Sequence, residues 1–330
     1  VAGVKPPIVP SRIVLVDKPG GLTSHDVVAR GRRAFGTRKV GHAGTLDPMA
    51  TGLLILGVGS STRLLTYLVG LDKEYLATIR LGAATTTDDA EGEVSGYADA
   101  AVLDAVDERR LAASFAGQTG TITQVPSSVS AIKVDGKRAY ARVRAGEDVV
   151  LAGRTVTIAE IERLSVPRRL DDDGHPSLDV DVRVVCSSGT YIRAIARDVG
   201  ASLGVGGYLT SLRRTRIGPF EVADAVPLDE LEREGAPSVA VSWALEPAQA
   251  AAKLFTVLHI DSQQAAALGH GQRIELDAAH PDADAPLAAV TTDGRLLGLV
   301  EVAKGRAKSI VNFPPDEYAP DSAPEAGGAP

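Results

Sequence analysis

The sequence predicts an α+β (mixed α/β) fold: a central mixed, largely antiparallel β-sheet flanked by helices, then a small C-terminal β-rich module. Three observations carry this expectation. Strand-like and helix-like segments alternate as far as residue 216, but hairpin signals interrupt them, so a doubly wound parallel sheet fits less well. The stretch "KEYLATIRLG" alternates strictly, with Tyr75, Ala77, Ile79 and Leu81 on one face and Glu74, Leu76, Thr78 and Arg80 on the other. Beyond the acidic region 224–253 the texture changes to one capped helix and several short strands. A chain of 330 residues, 44% hydrophobic, has room for one large domain and a small one.

Taken in order, residues 1–10 (VAGVKPPIVP) are proline-rich and read as a flexible arm. "SRIVLVDKPGG" reads as a strand ending in a Pro-Gly-Gly turn. Thr23 or Ser24 then caps a helix over "HDVVARGRRAF", which carries Arg30, Arg32 and Arg33. "GLLILGVG" is a buried strand, the acidic run "TTTDDAEGEVSG" a surface loop, and a helix is expected within 104–115. "AIKVDGKRAYARVRAGE" has an Asp135-Gly136 turn and then a short basic helix. "RTVTIAEIERLSV" and "SLDVDVRVVCSSG" are strands around an acidic excursion at 171–173, and "TYIRAIARDVGASLG" is a helix between Gly189 and Gly204. In the C-terminal module, "DSQQAAALGHGQRIEL" is a capped helix and a strand, "LAAVTTDGRLLGLVEV" a hairpin around Asp293-Gly294, and "KSIVNF" another strand. The tail from 314 is rich in Pro, Ala, Gly and Asp and reads as disordered.

Composition narrows the function classes. The longest apolar runs are far too short to cross a bilayer, and the first twenty residues lack the apolar core of a signal peptide. A single cysteine rules out a disulfide framework or a cysteine-built zinc site. A cytoplasmic location is the expectation. Net charge is −7, which by itself argues against a nucleic-acid partner. Its distribution argues the other way: segments 11–80, 124–163 and 184–216 carry basic excesses of five, two and four, and acidic segments separate them. Three such segments can converge into one cationic cleft, although ordinary solvated charge gives the same pattern.

Candidate chemistry is sparse. "GVGSST" at 57–62 lacks the Gly-Lys-Ser/Thr ending of a phosphate loop and reads as a tight turn. Cys186 shares strand parity with Val180, Val182 and Val184 and faces the core. His42 and Asp47 would give a metal only two ligands. There remains Asp47, in "KVGHAGTLDPMATGLLILGVG". From Asp47-Pro48 alone a helix N-cap is the better account, with proline at the first helical position. Three features weigh against it. Pro48 biases Asp47 to extended backbone, Gly41 and Gly44 keep the loop free of bulk where a large ligand could approach, and the neighbouring apolar strand would leave a carboxylate in need of a partner.

"GHAGTLDPMATGLL" closely resembles the active-site motif of the TruB family, the tRNA pseudouridine-55 synthases of the bacterial stand-alone type. "DKPGGLTSHDVV" resembles the family's N-terminal Lys-Pro-x-Gly-x-Thr-Ser motif, and "DKEYLATIRLG" its tyrosine motif. "QVPSSVSAIKVDGKRAYARVRAGE" resembles the RNA-gripping thumb, "CSSGTYIRAIARDVGASLG" the arginine motif and "YLTSLRRTRIG" the element after it. These stretches cover most of 11–216 in the family's order. One departure is Ser127, where the family usually has a second proline after Gln-x-Pro; it bears on the shape of the thumb.

The resemblance implies a pseudouridine synthase catalytic domain over 11–250, with its thumb at about 124–152, and a PUA-like domain over 255–313. It implies isomerisation of uridine 55 in the tRNA T-loop by base flipping and an aspartate-dependent exchange of a C–N for a C–C glycosidic bond. No cofactor is needed and tRNA is the partner; the expectation is a monomer that requires no protein partner. Asp47 would be the essential carboxylate, acting while ionised, with Arg193 beside it as a cation that cannot deprotonate. Tyr75 would stack on the flipped base and assist proton removal at C5, His42 would enter the T-loop, and Tyr191 and Leu212 would line the uracil pocket. Lys18 and the basic helix, with Lys133, Lys137, Arg138, Arg142 and Arg144 of the thumb, would contact phosphates. Two other readings stay open: a guide-RNA-dependent synthase of the same superfamily, and a tRNA-folding module with catalysis secondary.

Overall fold

The structure, a computed structural model, describes residues 10–127, 133–134, 137–138, 152–172, 174–234, 243–276 and 283–314. The expected arm up to residue 9, most of the thumb with its basic helix, and the tail from 315 lie outside the described residues. Among those described, no helix is long and apolar enough to cross a membrane. The chain divides into two compact units. One draws on Val1–Leu46, Leu53–Val69 and Pro219–Pro330, and the other on Asp47–Gly52 and Gly70–Gly218.

In the first unit β1 (Arg12–Lys18) buries Ile13, Val14, Leu15 and Val16, and the chain then turns at Gly20-Gly21 into α1 (Ser24–Ala34). Thr23 is the N-cap. Its side chain accepts the Asp26 N–H while the Asp26 carboxylate accepts the Thr23 N–H, a reciprocal box that satisfies two of the free donors at the helix start. β2 (Val40–Ala43) pairs antiparallel with β3 (Thr51–Val58), which is buried from Gly52 to its end, as its unbroken apolar run requires. β1 pairs antiparallel with Ala244–Leu245 and parallel with Val226–Pro227. The C-terminal module is a five-stranded sheet in the order Val257–Ile260, Leu287–Thr291, Leu296–Ala303, Arg306–Asn312, Ile274–Glu275. The helix Ser262–Gly269, capped by Asp261, supplies Leu268 to a core with Leu258, Ile260, Ala289, Val300 and Val302. The hairpin expected around Asp293-Gly294 joins the second and third of these strands.

The second unit is built on β4 (Lys73–Leu81), whose buried residues are Lys73, Tyr75, Ala77, Ile79 and Leu81, the face that the alternation marked. β5 (Ala83–Thr85) and β6 (Val94–Tyr97) form an antiparallel hairpin over the acidic run expected to be a surface loop. Its carboxylates are not all solvated, because Asp89 is 3% exposed. The helix expected within 104–115 is α3 (Glu108–Gly117), and a further short helix, α2 (Ala100–Asp104), precedes it. The break falls where Asp107 accepts the Arg110 N–H and caps the second helix. β7 (Gly120–Gln124) follows. The pairing of Lys133–Val134 with Lys137–Arg138 flanks the expected Asp135-Gly136 turn. β8 (Arg154–Arg163), β9 (Arg168–Asp172) and β10 (His175–Cys186) precede α4 (Ile192–Leu203), which ends at Gly204, and β11 (Gly207–Ile217). The strand order is β11-β4-β10-β8-β7, antiparallel throughout. Thr51 and Gly52 pair with Arg213 and Arg214 in parallel, which makes the sheet mixed. α4 packs on β11 and α3.

Candidate active site

Asp47 lies in the loop between β2 and β3. No helix follows it: Pro48 and Met49 bend, the Ala50 N–H donates to the Asp47 carbonyl at 3.2 Å, and β3 begins at Thr51. The N-cap account fails because the apolar run just beyond Pro48-Met49 takes extended backbone, leaving no length for a helical turn. The glycines around Asp47 also have local explanations. Gly44 has φ +80°, in the left-handed region that favours glycine, and a Cβ on Gly41 would stand 3.0 Å from the Leu65 side chain. Packing against Leu65 is by itself a reason for glycine at position 41. One residue before Asp47, the buried Ser24 hydroxyl accepts the Leu46 N–H at 2.9 Å and faces its carbonyl at 3.2 Å.

Arg193, in the first turn of α4, is the cation that the carboxylate meets. Its Nε lies 3.0 Å from Oδ2 of Asp47, and its Nη1 lies 3.2 Å from Oδ2 of Asp89. The same Nη1 donates to the Thr87 carbonyl at 2.9 Å. The side chains of Arg193 and Asp89 are 6% and 4% exposed, whereas that of Asp47 is 35% exposed. Arg193 thus holds two carboxylates of different kinds, one enclosed and one that reaches solvent. A buried guanidinium with a single partner would lose its neutralisation whenever that partner reacted. Asp89 keeps Arg193 neutralised independently of Asp47.

Asp89 was not legible as a site residue, because an acidic run resembles a solvated loop. What makes its burial tolerable is local: Oδ1 accepts the Glu91 N–H at 3.0 Å and the Thr87 hydroxyl, and Thr85 donates to its carbonyl at 2.8 Å. The one sign in the sequence is the threonine triplet before the aspartates, a ready set of hydroxyl donors.

Tyr75 is buried on β4 and faces Arg214 of β11 in register, with Leu212 opposite Ala77 one pair further along the same face. Burial pushes the Tyr75 phenol above its ordinary value; Arg214 opposes the rise and Asp47 adds to it. Burial likewise raises the Tyr191 phenol, with Asp47 and Arg193 among the charges acting on it. Asp47, Arg193, Tyr75, Tyr191 and Leu212 therefore belong to one unit. Two further members escaped sequence reasoning. Arg214 is 1% exposed, and burial of a guanidinium has no periodic signature. Gln124, also 1% exposed, accepts the Tyr191 N–H at 2.8 Å and donates to the Tyr191 carbonyl at 3.1 Å, standing in for a strand partner. Cys186 is buried as expected, and burial pushes its thiol up to about 11.

The other expected contacts are placed as follows. His42, on β2, meets the His25 ring edge-on at 5.5 Å. Lys18 is fully buried, and its ammonium donates to the carbonyls of Pro19 and Leu22, bracing the Pro-Gly-Gly turn. On α1, Arg30 and Arg33 pair with Glu232 at 2.8 and 3.2 Å. The side chains of Lys133, Lys137 and Arg138, and all of Arg142 and Arg144, lie outside the described residues.

The mixed α/β fold with a β-rich domain after it is that of the pseudouridine synthases, as its likeness to a solved structure and to a family model shows. In a solved structure of an H/ACA RNP bound to a substrate RNA containing 2'-deoxyuridine, one chain matches with a TM-score of 0.65. The match covers 93% of this chain and 87% of that one at 24% identity, a likeness of fold. The chain itself belongs to the TruB family. Residues 32–192 match the model of the TruB family pseudouridylate synthase N-terminal domain. Residues 193–248 match the tRNA pseudouridylate synthase B C-terminal domain, and 255–314 match tRNA pseudouridine synthase II, C terminal. A Leifsonia xyli protein named tRNA pseudouridine synthase B is 57% identical over 94% of this chain and 98% of that relative. A protein of the same name from an Arthrobacter species is 52% identical over 94% of this chain and 99% of its own length.

Proposed function

We propose that the protein isomerises uridine 55 in the T-loop of tRNA to pseudouridine, acting on tRNA alone in the cytoplasm and as a monomer. The observation that carries this reading is the Asp47–Arg193 pair at 3.0 Å, on a chain whose relatives are named tRNA pseudouridine synthase B. The reaction breaks the N1–C1′ bond, turns the uracil and joins C5 to C1′, with C5 giving up its proton and N1 taking one up. Atoms and oxidation state balance within the nucleotide, so no cofactor is required.

A base stacked in the T-loop must be flipped out before a carboxylate can reach it, at a cost of a few kcal/mol. Tyr75 supplies replacement stacking, Tyr191 and Leu212 close the pocket, and His42 enters the loop that the base has left. Arg193 sets a permanent cation 3.0 Å from the Asp47 carboxylate and so fixes its direction. The raised Tyr75 phenol remains protonated at neutral pH, which favours stacking and hydrogen-bond donation over a resting role as base. The catalytic domain spans 11–250, its thumb at about 124–152 contacts phosphates through Lys133, Lys137, Arg138, Arg142 and Arg144, and the PUA-like domain spans 255–313.

The test is to map pseudouridine in unmodified tRNA incubated with the purified protein and no guide RNA. Product at position 55 with the wild type, and none with Asp47→Asn despite near-normal tRNA binding, is the expected result. Turnover retained by Asp47→Asn would sink the assignment. No product without a guide RNA would favour the guide-dependent reading.

A further inference from the structure

We propose that Ser127 is a positioning residue for the Asp47–Arg193 pair, acting through Asp88. The inference rests on the function proposed above and concerns how this chain holds that site.

Asp88 has φ +60°, one of only two non-glycine residues with a positive φ among those described. A side chain adopts that region at a cost, and the surrounding contacts have to hold it there. The conformation matters because of what lies on either side. The Thr87 carbonyl and the Asp89 carboxylate both bind Nη1 of Arg193, at 2.9 and 3.2 Å. Asp88 is the joint between these two acceptors. A change at its φ would swing one of them away from the arginine, and with it the Nε that meets Asp47.

Two donors hold the Asp88 carboxylate, which is 14% exposed. The Ser127 hydroxyl donates to its Oδ2 at 2.6 Å, and Nη1 of Arg197 reaches the same oxygen at 3.3 Å. The hydroxyl is the closer of the two, on a residue that is fully buried. Arg197 divides its remaining donors between Asp198 and the Val125 carbonyl, both at 2.8 Å. The backbone on the other side of the joint is also fixed: the Leu209 N–H donates to the Asp88 carbonyl at 3.1 Å. The hinge therefore has one neutral, short, enclosed clasp, and Ser127 provides it.

The experiment measures single-turnover rate, tRNA affinity and melting temperature for four variants of the full chain. Removing the hydroxyl leaves a half-buried carboxylate short of a donor, so Ser127→Ala is expected to lower the rate about tenfold, with tRNA affinity lowered less than the rate. Ser127→Thr, which keeps the hydroxyl, restores most of the rate. Asp88→Gly takes φ +60° without strain and removes the carboxylate. In that background Ser127→Ala costs nothing more, so the double variant matches Asp88→Gly alone. A residue that only stabilises the fold would shift the melting temperature without this rate–affinity split and without the interaction between the two sites. Equal rates for wild type and Ser127→Ala overturn the proposal, as does a Ser127→Ala penalty that persists undiminished on Asp88→Gly. If Ser127→Ala does not fold, the Ser127→Thr and Asp88→Gly arms still decide: a poor rate in Ser127→Thr with normal melting is an overturning result. A wild-type protein that forms no pseudouridine in tRNA would instead defeat the functional reading.

Discussion

Nη1 of Arg193 lies 3.2 Å from the enclosed carboxylate of Asp89, so the arginine is neutralised before Asp47 enters the account. Removing one partner of a buried pair leaves an uncompensated charge. Asp89→Asn is therefore expected to destabilise the fold by about 3 kcal/mol and to lower turnover, with tRNA affinity little changed. Urea denaturation and single-turnover kinetics check it; a variant as active and as stable as wild type would refute the two-carboxylate account.

Arg193 uses two different nitrogens for its two carboxylates. A lysine has one compact ammonium and cannot span both. Arg193→Lys should lose about tenfold or more in rate, since losing one close contact to a charged group costs roughly 1.5–3 kcal/mol, while retaining tRNA. Rate and filter-binding assays on the same preparation test this.

Gly52 has φ +101°, and a Cβ there would stand 2.2 Å from the Arg214 carbonyl oxygen. Neither the conformation nor the space admits a side chain. Gly52→Ala is expected to cost about 3 kcal/mol, within the range of severe single substitutions, and to disturb Arg214 and hence its register partner Tyr75. Thermal melting gives the loss directly.

Lys73 provides a pH signature. Burial pushes its ammonium down to about 8 from 10.5, helped by Arg214 nearby. Between those values the unfolded chain binds a proton that the folded chain does not, so this residue makes stability rise with pH across that window. Cys186, raised to about 11 from 9.0, works in the opposite sense, because its folded form keeps a proton that the unfolded form has lost. Below about pH 9, where the Cys186 thiol keeps its proton, the difference between wild type and Lys73→Met reports the lysine. The variant should gain stability below pH 8, and the difference should shrink towards pH 10. A difference independent of pH would rule out a depressed ammonium.

Neutralising Arg142 and Arg144 should weaken tRNA binding and lower the slope of log affinity against log salt by roughly one for each phosphate that is no longer neutralised. An unchanged slope would contradict a phosphate-binding thumb.

What was legible in the sequence had a period or a cap. β4, β3 and α4 follow from alternation, an unbroken apolar run and bounding glycines, and the C-terminal strands from a turn signal at Asp293-Gly294. Asp47 and Arg193 were found through motif resemblance, since nothing in their spacing predicts an ion pair between residues so distant in sequence. Asp89, Gln124 and Arg214 were not found. Gln124 and Arg214 are buried against groups on other elements, and Asp89, though held by donors of its own loop, meets its cation on α4; no local pattern encodes those pairings. The same blindness placed a helix after Asp47-Pro48: the local preference was sound, but the next strand had already claimed the backbone.

The clasp of Ser24 on Leu46 has a mechanical consequence. A loop tethered only where its strands end is loosest at its middle, and Asp47 stands in the middle of 44–50. Fastening the preceding residue shortens the free lever to a single peptide unit. The Asp47 backbone then follows directly on a residue fastened to the start of a helix.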